Sequence, residues 1–381
     1  MAYFDNAATT FPKPEEVYKG VDEFNRHLAM NVNRGQYTQS IKAGQIVNET
    51  RNMLLQLLNA EGTHSVVFTA SATIGLNMVL QGQDFTKIKN VYITPFEHNA
   101  VLRPLNYLQD EYHFNIVELK VDREKMEYDL EAIKYQFQDK KPDLVVITHV
   151  SNVCGLVAPI KELFDLAKQK QAITIVDMAQ SCGLIKTNLK EIQADFVVFA
   201  GHKTLYSTFG VGGFLIKNGC YLEPTIYGGT GVQSALPKQP TTLPEKFEVG
   251  SLNTSAIASL YYSLKWLDGK KIDHIQEKEK ENYEKLYKIL SNYDNIKIYG
   301  LNQNSAGIIS CCFDGLSPDN VGDILARQNV AVRVGLHCAP NAHKFLGTFP
   351  AGTVRFSVSY FTTDDDFKEL KKALDYIEEN S

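Results

Sequence analysis

Seven short apolar runs, at residues 65–70, 90–95, 115–121, 143–149, 172–177, 195–200 and 211–217, set the frame for this chain. They lack a helical period and are too short for buried helices, so they read as strands. Runs apolar throughout, such as Phe196-Val197-Val198-Phe199, read as strands covered on both faces. Helical or loop segments separate most of them. The expected architecture is therefore α/β, a mainly parallel seven-stranded sheet with helices on both faces. At 381 residues the chain has room for about two domains.

In open sheets of this kind ligands bind beyond the carboxyl ends of the strands, and chemistry-bearing residues collect there. Asp177 closes the run Ala172-Ile173-Thr174-Ile175-Val176-Asp177, and His202 and Lys203 follow the run that ends at Ala200-Gly201. A lysine at the end of a buried strand is costly unless it is neutralised, paired or used covalently. A lysine and an aspartate facing one crevice fit pyridoxal phosphate chemistry. The amine forms a Schiff base with the cofactor aldehyde, and the aspartate keeps the pyridine nitrogen protonated. At about 3 Å and an effective dielectric of about 20, that contact is worth roughly 5 kcal/mol, enough to keep the ring cationic. The alternatives are a solvated lysine and a buried ion pair. Gly210, Gly212 and Gly213 beyond the lysine are not a Walker loop, since no Gly-Lys-Ser/Thr follows them.

Other strand ends add to the crevice. Ser71-Ala72-Thr73 opens a helix expected over 74–80, whose free N–H groups either hold a phosphate or are simply capped. Glu97-His98-Asn99-Ala100 offers an imidazole that either lies over a flat ring and moves protons or is a satisfied structural histidine. His149-Val150-Ser151-Asn152 brings an amide, and Gln180 follows Asp177.

Helices are expected from about Glu15 and over 43–59. The loop over 227–244, with Gly228-Gly229-Thr230-Gly231, is too long for a plain connector and suits a functional or subunit-interface segment. A charged helix over 273–292 marks a second domain, with strands at 296–299, 307–313 and 330–334 and a last helix behind a capping box from Thr363 to Asp366. Arg333-Val334-Gly335-Leu336-His337-Cys338-Ala339-Pro340 sets a thiol on a loop just after a strand. A thiol pKa of about 8.5 leaves only a few per cent thiolate at neutral pH, a fraction that His337 and Arg333 are expected to raise. Arg355, inside the apolar strand Thr353-Val354-Arg355-Phe356-Ser357, suits either a two-pronged grip on a substrate carboxylate or an internal salt bridge.

The net charge of −5 gives no footprint for nucleic acid. A hydrophobic content of 44% and a charged content of 22%, with no long apolar segment, fit a soluble chain without a membrane span. The start of the chain lacks the pattern of a secretory signal, so a cytoplasmic setting is expected. Six cysteines without a CxxC pair are not a disulfide framework. His337, Cys338 and His343 lack a fourth ligand at recognisable spacing, and no metal is expected there.

The ordered set Asp5-Asn6-Ala7-Ala8, Glu97-His98, Ser151-Asn152, 177–180, Gly201-His202-Lys203, 250–253, 333–338 and Arg355 resembles the class V aminotransferases. Within them it resembles the cysteine desulfurases, and in particular the branch with selenocysteine lyases, whose nucleophilic cysteine sits in an Arg-x-Gly-x-His-Cys-Ala loop. The resemblance covers nearly the whole chain. It implies the fold-type-I architecture of pyridoxal-phosphate enzymes, with an N-terminal segment (1–14) packing on the small domain, a large cofactor domain (15–268) and a small α+β C-terminal domain (269–381). It also implies a homodimer with the active site between subunits. By the same match Lys203 carries the cofactor, His98 stacks on the ring, Asp177 pairs with its nitrogen, and Asn152 and Gln180 contact its oxygen side. Thr73 and His202 hold the phosphate beside Ala72, with Ser251 arriving from the partner subunit. Arg355 binds the substrate carboxylate, with Arg333, Asn33 and Arg34 close by.

The chain departs from the family pattern at Ala200 and Ala72, where hydroxyls are common, at Ser251 for Thr, and at Leu336 for His. Two lost hydroxyls imply a phosphate cup weaker by roughly 1–3 kcal/mol. The activity implied is removal of sulfur from L-cysteine. Lys203, with His98, moves the Cα proton, and Cys338 attacks the substrate sulfur. The products are alanine and a persulfide passed to an acceptor protein, as in iron–sulfur cluster assembly. L-selenocysteine as substrate, or an epimerase or aminotransferase with Cys338 as bystander, are the alternatives within the fold. A cofactor-free binding protein on the same scaffold is the alternative outside it.

Overall fold

The computed structural model of the chain describes residues 1–32, 35–301 and 304–380. A short strand β1 (Ala2–Tyr3) and helices α1 (Glu15–His27) and α2 (Thr38–Leu57) come first. The seven apolar runs then supply β2 (His64–Thr69), β3 (Asn90–Ile93), β4 (Asn115–Glu118) and, past a hairpin of β5 (Val121–Asp122) and β6 (Glu127–Tyr128), β7 (Leu144–Thr148), β8 (Ile173–Asp177), β9 (Phe196–Ala200) and β10 (Gly212–Lys217). They form one seven-stranded sheet in the order β2-β10-β9-β8-β7-β3-β4. The run β9-β8-β7-β3-β4 is parallel, and β10 lies antiparallel to both its neighbours.

Strand alternation sorts the side chains into two cores, one on each face. Val145, Ile147, Val197, Phe199 and Leu215 pack with α2, α5 (Leu130–Asp139), α6 (Ile160–Gln169) and α7 (Thr254–Lys270). Leu144, Val146, Phe196, Val198, Phe214 and Ile216 pack on the other face with α3 (Ala72–Gln81) and α4 (Asn99–Tyr112). All residues of β7 and β9 are buried, which is why these strands read as unbroken apolar runs. Gly212 is required by close approach, since a Cβ there would stand 2.7 Å from the backbone N of Ala72 at the start of α3.

The second domain contains α8 (Ile272–Leu290), β11 (Ile296–Tyr299), β12 (Ile308–Phe313), α9 (Pro318–Arg327), β13 (Val330–Ala331), β14 (Arg333–Gly335), α10 (Pro340–Leu346), β15 (Thr353–Ser357) and α11 (Asp364–Asn380). Its four-stranded sheet runs β11-β12-β15-β14 and is antiparallel throughout. The capping box forms as expected: Thr363 N donates to Asp366 Oδ2 at 2.8 Å, and Asp366 N donates to Thr363 Oγ1 at 3.2 Å.

Two expectations are corrected. The single strand expected over 330–334 is two strands with different partners. Val330–Ala331 pairs in parallel with β1, while Arg333–Gly335 pairs antiparallel with β15. A segment from the far end of the sequence claims the first half, which no local pattern reveals. Helix α2 begins at Thr38 rather than at 43, because its first turn buries only the polar Ser40 and carries little of the apolar periodicity that marks the rest.

The N-terminal segment lies on the small domain. Phe4 is fully buried there with Phe356, and the Ser357 amide donates to the Phe4 carbonyl at 2.7 Å. Phe356→Ala is expected to destabilise this domain by about 3–5 kcal/mol through the cavity it leaves. The drop is read as a lowered urea midpoint of the full chain.

Candidate active site

The carboxyl ends of four adjacent strands, β9, β8, β7 and β3, deliver Lys203, Asp177, Asn152 and His98 in that spatial order. One cavity is lined by Ala72, Thr73, His98, Asn152, Asp177, Gln180, His202 and Lys203, together with Ser71 and Ala200. Eight of the residues singled out in the sequence therefore meet in one place.

Burial sets the electrostatics. Lys203 is half-buried, and desolvation of its amine lowers the pKa to about 8 against the opposing pull of Asp177. Desolvation likewise raises the Asp177 carboxyl, although Asp177 Oδ1 accepts from the Ala179 amide at 2.9 Å. His98 caps α4, with Nδ1 accepting from the Ala100 amide at 3.0 Å, and burial pushes its pKa down to about 4. A neutral imidazole whose Nδ1 accepts must carry its proton on Nε2, so His98 offers the site an N–H donor.

Glu97 holds the turn that presents His98. Its buried carboxylate accepts from Thr94 Oγ1 at 2.7 Å, from the Thr148 amide at 2.8 Å and from Thr148 Oγ1 at 2.6 Å, which joins β3 to β7. His202 stacks near Phe209 with ring centroids 4.6 Å apart, and its Nδ1 is buried without a partner. The His202 carbonyl accepts from Lys13 Nζ at 2.7 Å, from Thr9 Oγ1 at 3.0 Å and from the Thr10 amide at 3.2 Å. The N-terminal segment thus grips the main chain that carries Lys203.

The second domain closes the other side. Arg355 is buried, with Nη1 donating to the Asn152 carbonyl at 2.9 Å, Nη2 donating to Asp5 Oδ1 at 3.1 Å, and Nε unpartnered. Arg333 Nη2 donates to Asp5 Oδ2 at 2.7 Å, so one carboxylate bridges both guanidinium groups. Cys338 is exposed. Its carbonyl accepts from the Asn99 amide at 2.6 Å, and Asn152 Nδ2 donates to the His337 carbonyl at 2.7 Å. The thiol lies close enough for its charge to act on Lys203, Arg355 and Arg333. His337 is not the cation expected beside it. Burial drives its pKa to about 2, so it is neutral, and any positive field at the thiol comes from the arginines and Lys203.

Ser251 lines a separate cavity with Tyr227 and Gly229 and does not reach Lys203 within its own chain. Asn33 and Arg34 fall outside the described residues. Sequence reasoning missed Lys13, Asn99 and Thr353, and gave Asp5 no role. Only Asp5 left a signal, as a carboxylate in a motif whose other residues are neutral.

The family described as Aminotransferase class-V matches residues 2–370. The chain belongs to that family. A probable cysteine desulfurase of Methanothermobacter thermautotrophicus is 31% identical, over 98% of this chain and 94% of its own. A cysteine desulfurase of Escherichia coli O157:H7 is 30% identical, over 99% and 93%. The apo structure of a cysteine desulfurase from Thermococcus onnurineus superposes with a TM-score of 0.90 at 27% identity, covering 100% of this chain and 95% of that one.

Family membership implies pyridoxal phosphate, and the residues present suit it. A low-pKa amine, a buried acid and an imidazole donor share one cavity. The Asn152 Oδ1 and His202 Nδ1 atoms are buried without protein partners, as groups reserved for a polar ligand would be.

Three outcomes follow from this geometry. The yield of borohydride-trapped pyridoxyl-Lys203 after brief mixing with the aldehyde is expected to rise with pH through about 8 and level off above it, because only the neutral amine reacts. In Asp177→Asn the midpoint is expected to move lower, since the carboxylate that favours the charged amine is gone. Asp5→Asn breaks a buried ion pair and is expected to destabilise the chain by about 3–5 kcal/mol, read as a lowered urea midpoint.

Proposed function

We propose that the chain is a pyridoxal-phosphate-dependent cysteine desulfurase that takes sulfur from L-cysteine, releases alanine and leaves a persulfide on Cys338. The observation that carries this reading is a cavity shared by Lys203 and Asp177 whose Asn152 also holds the His337 carbonyl of the loop that presents Cys338, with the thiol near enough for its charge to act on Lys203. When bound, the cofactor supplies an electron sink for the charge left as the substrate loses its Cα proton.

The remaining work falls to side chains of the chain. Lys203 would hold the cofactor and, with a pKa lowered to about 8, takes and returns a proton at Nζ. Asp177 would hold the ring nitrogen, His98 would supply an N–H donor beside the ring, Asn152 and Gln180 would serve its oxygen side, and Thr73 and His202 would hold the phosphate. Arg355 offers a substrate carboxylate its unpartnered Nε–H, while Asp5 and the Asn152 carbonyl fix the orientation of the guanidinium. The Cys338 thiolate attacks the substrate sulfur, so that one C–S bond breaks as one S–S bond forms and the electron pair of the broken bond stays on the alanine moiety. The exposure of Cys338 suits hand-over of that sulfur to an acceptor protein.

A homodimer fits the position of Ser251, away from its own cavity on a loop with exposed Tyr227 and Leu236. All six cysteines are free of disulfides, which fits the cytoplasm. Among the described residues no helix is long and apolar enough to cross a membrane.

Incubated with L-cysteine and a reductant, the protein is expected to release alanine and sulfide in equal amounts. Cys338→Ser is expected to lose about a hundredfold or more of this rate while Lys203 still traps the cofactor. A Cys338→Ser protein that works at full rate would remove the nucleophile from the scheme, and a wild-type protein that yields keto acid or D-alanine would replace the reading altogether.

A further inference from the structure

The loop that presents Cys338 is held in an uncommon backbone. His337 and Cys338 have φ of +47° and +57°, two left-handed residues in succession, neither of them glycine. L residues visit this region singly and seldom, so a pair of them needs outside support. Two supports act on the main chain, the bonds from Asn152 and Asn99 to the carbonyls of His337 and Cys338. The third passes through the His337 side chain into the small-domain sheet.

That third support has a fixed proton order. The Val153 carbonyl can only accept, so the Ser310 hydroxyl places its proton there at 2.6 Å. Ser310 Oγ then accepts from the Thr353 hydroxyl at 3.1 Å. Thr353, its own proton committed, accepts from His337 Nε2 at 2.9 Å. His337 is thereby the Nε2–H tautomer, with a buried Nδ1 that has no partner. Thr353 and Arg355 lie two residues apart on β15, so they project from the same face. In the sheet register Thr353 sits opposite Gly335, at the root of the Cys338 loop, and Arg355 opposite Arg333.

We infer that Thr353 and His337 are positioning residues for the nucleophile. A strut from the Val153 carbonyl through Ser310 and Thr353 to His337 fixes the left-handed turn that places the Cys338 sulfur, and the strand holding the substrate-carboxylate arginine sets its anchor point. The role of the sulfur rests on the desulfurase reading; the strut itself does not.

The test uses the cofactor-loaded full chain. Thr353→Val removes the hydroxyl at nearly constant volume, and Thr353→Ser restores it. His337→Phe removes the donor, and His337→Gln returns an N–H at similar reach. The amides of Ala339 and Asn99, which bond to the Leu336 and Cys338 carbonyls, report on the loop. Their hydrogen exchange is expected to speed up about tenfold in Thr353→Val and His337→Phe and to stay within about threefold of wild type in Thr353→Ser and His337→Gln. Alanine formation from L-cysteine is expected to lose about tenfold in kcat in Thr353→Val, with KM and the yield of trapped Lys203 within about twofold of wild type. Unchanged exchange in both Thr353→Val and His337→Phe overturns the strut. Faster exchange with an intact kcat overturns its effect on the nucleophile. A wild-type protein that makes no alanine from L-cysteine sinks the desulfurase reading, and the exchange comparison still decides the strut.

Discussion

A guanidinium charge buried at Arg355 is the constraint on which the arrangement of the site depends. A fully enclosed charge without a partner is strongly destabilising, so the fold has to bring acceptors to it. They come from far away in the sequence. Asp5 lies 350 residues earlier, and the Asn152 carbonyl comes from the large domain. Satisfying one side chain therefore ties the N-terminal segment, the large-domain sheet edge and the small-domain strand into one body. The same segment continues to Thr9, Thr10 and Lys13, which grip the carbonyls of His202 and Lys203.

Strand β15 shows how alternation divides labour. Val354 and Phe356 point into the small-domain core, while Thr353, Arg355 and Ser357 point the other way. Each of these three holds a different piece of the site. Thr353 holds the Cys338 loop through His337, Arg355 holds Asp5 and Asn152, and Ser357 accepts from the Ala7 amide at 2.9 Å and donates to the Phe4 carbonyl at 3.1 Å. A polar face on a fully buried strand is stable only because every group on it has a partner or is reserved for a ligand.

Burial also decides which groups in the site carry charge. Lys203, His98, His202 and His337 all have their pKa values lowered, mainly by desolvation. The three imidazoles are neutral, and of these four only Lys203 titrates near physiological pH; behind them burial also brings Glu97 up and Lys13 down to about 7. The permanent positive charges are Arg355 and Arg333, both fixed on Asp5. Among the titrating groups Lys203 is the one that lines the cavity and can move a proton there, and the arginine pair is suited to hold an anion.

Much of this was legible in the residues themselves. The seven runs, the capping box and the lysine and aspartate at strand ends rest on short-range rules: apolar period, helix-end chemistry and the tendency of parallel sheets to bind at their carboxyl edge. Other features had no local trace. The division of 330–334 between two sheets, the bridging of Arg333 and Arg355 by Asp5, the neutrality of His337 and its bond to Thr353 all depend on contacts between segments remote in the chain. The sequence determined by itself the large sheet and the kinds of groups at its edge, because periodicity and residue chemistry act over a few neighbours. Tertiary structure alone decided which carboxylate met which cation and which ionisable groups lost their water. Pairing and desolvation belong to the packed chain, where residues 350 apart come to within 3.1 Å.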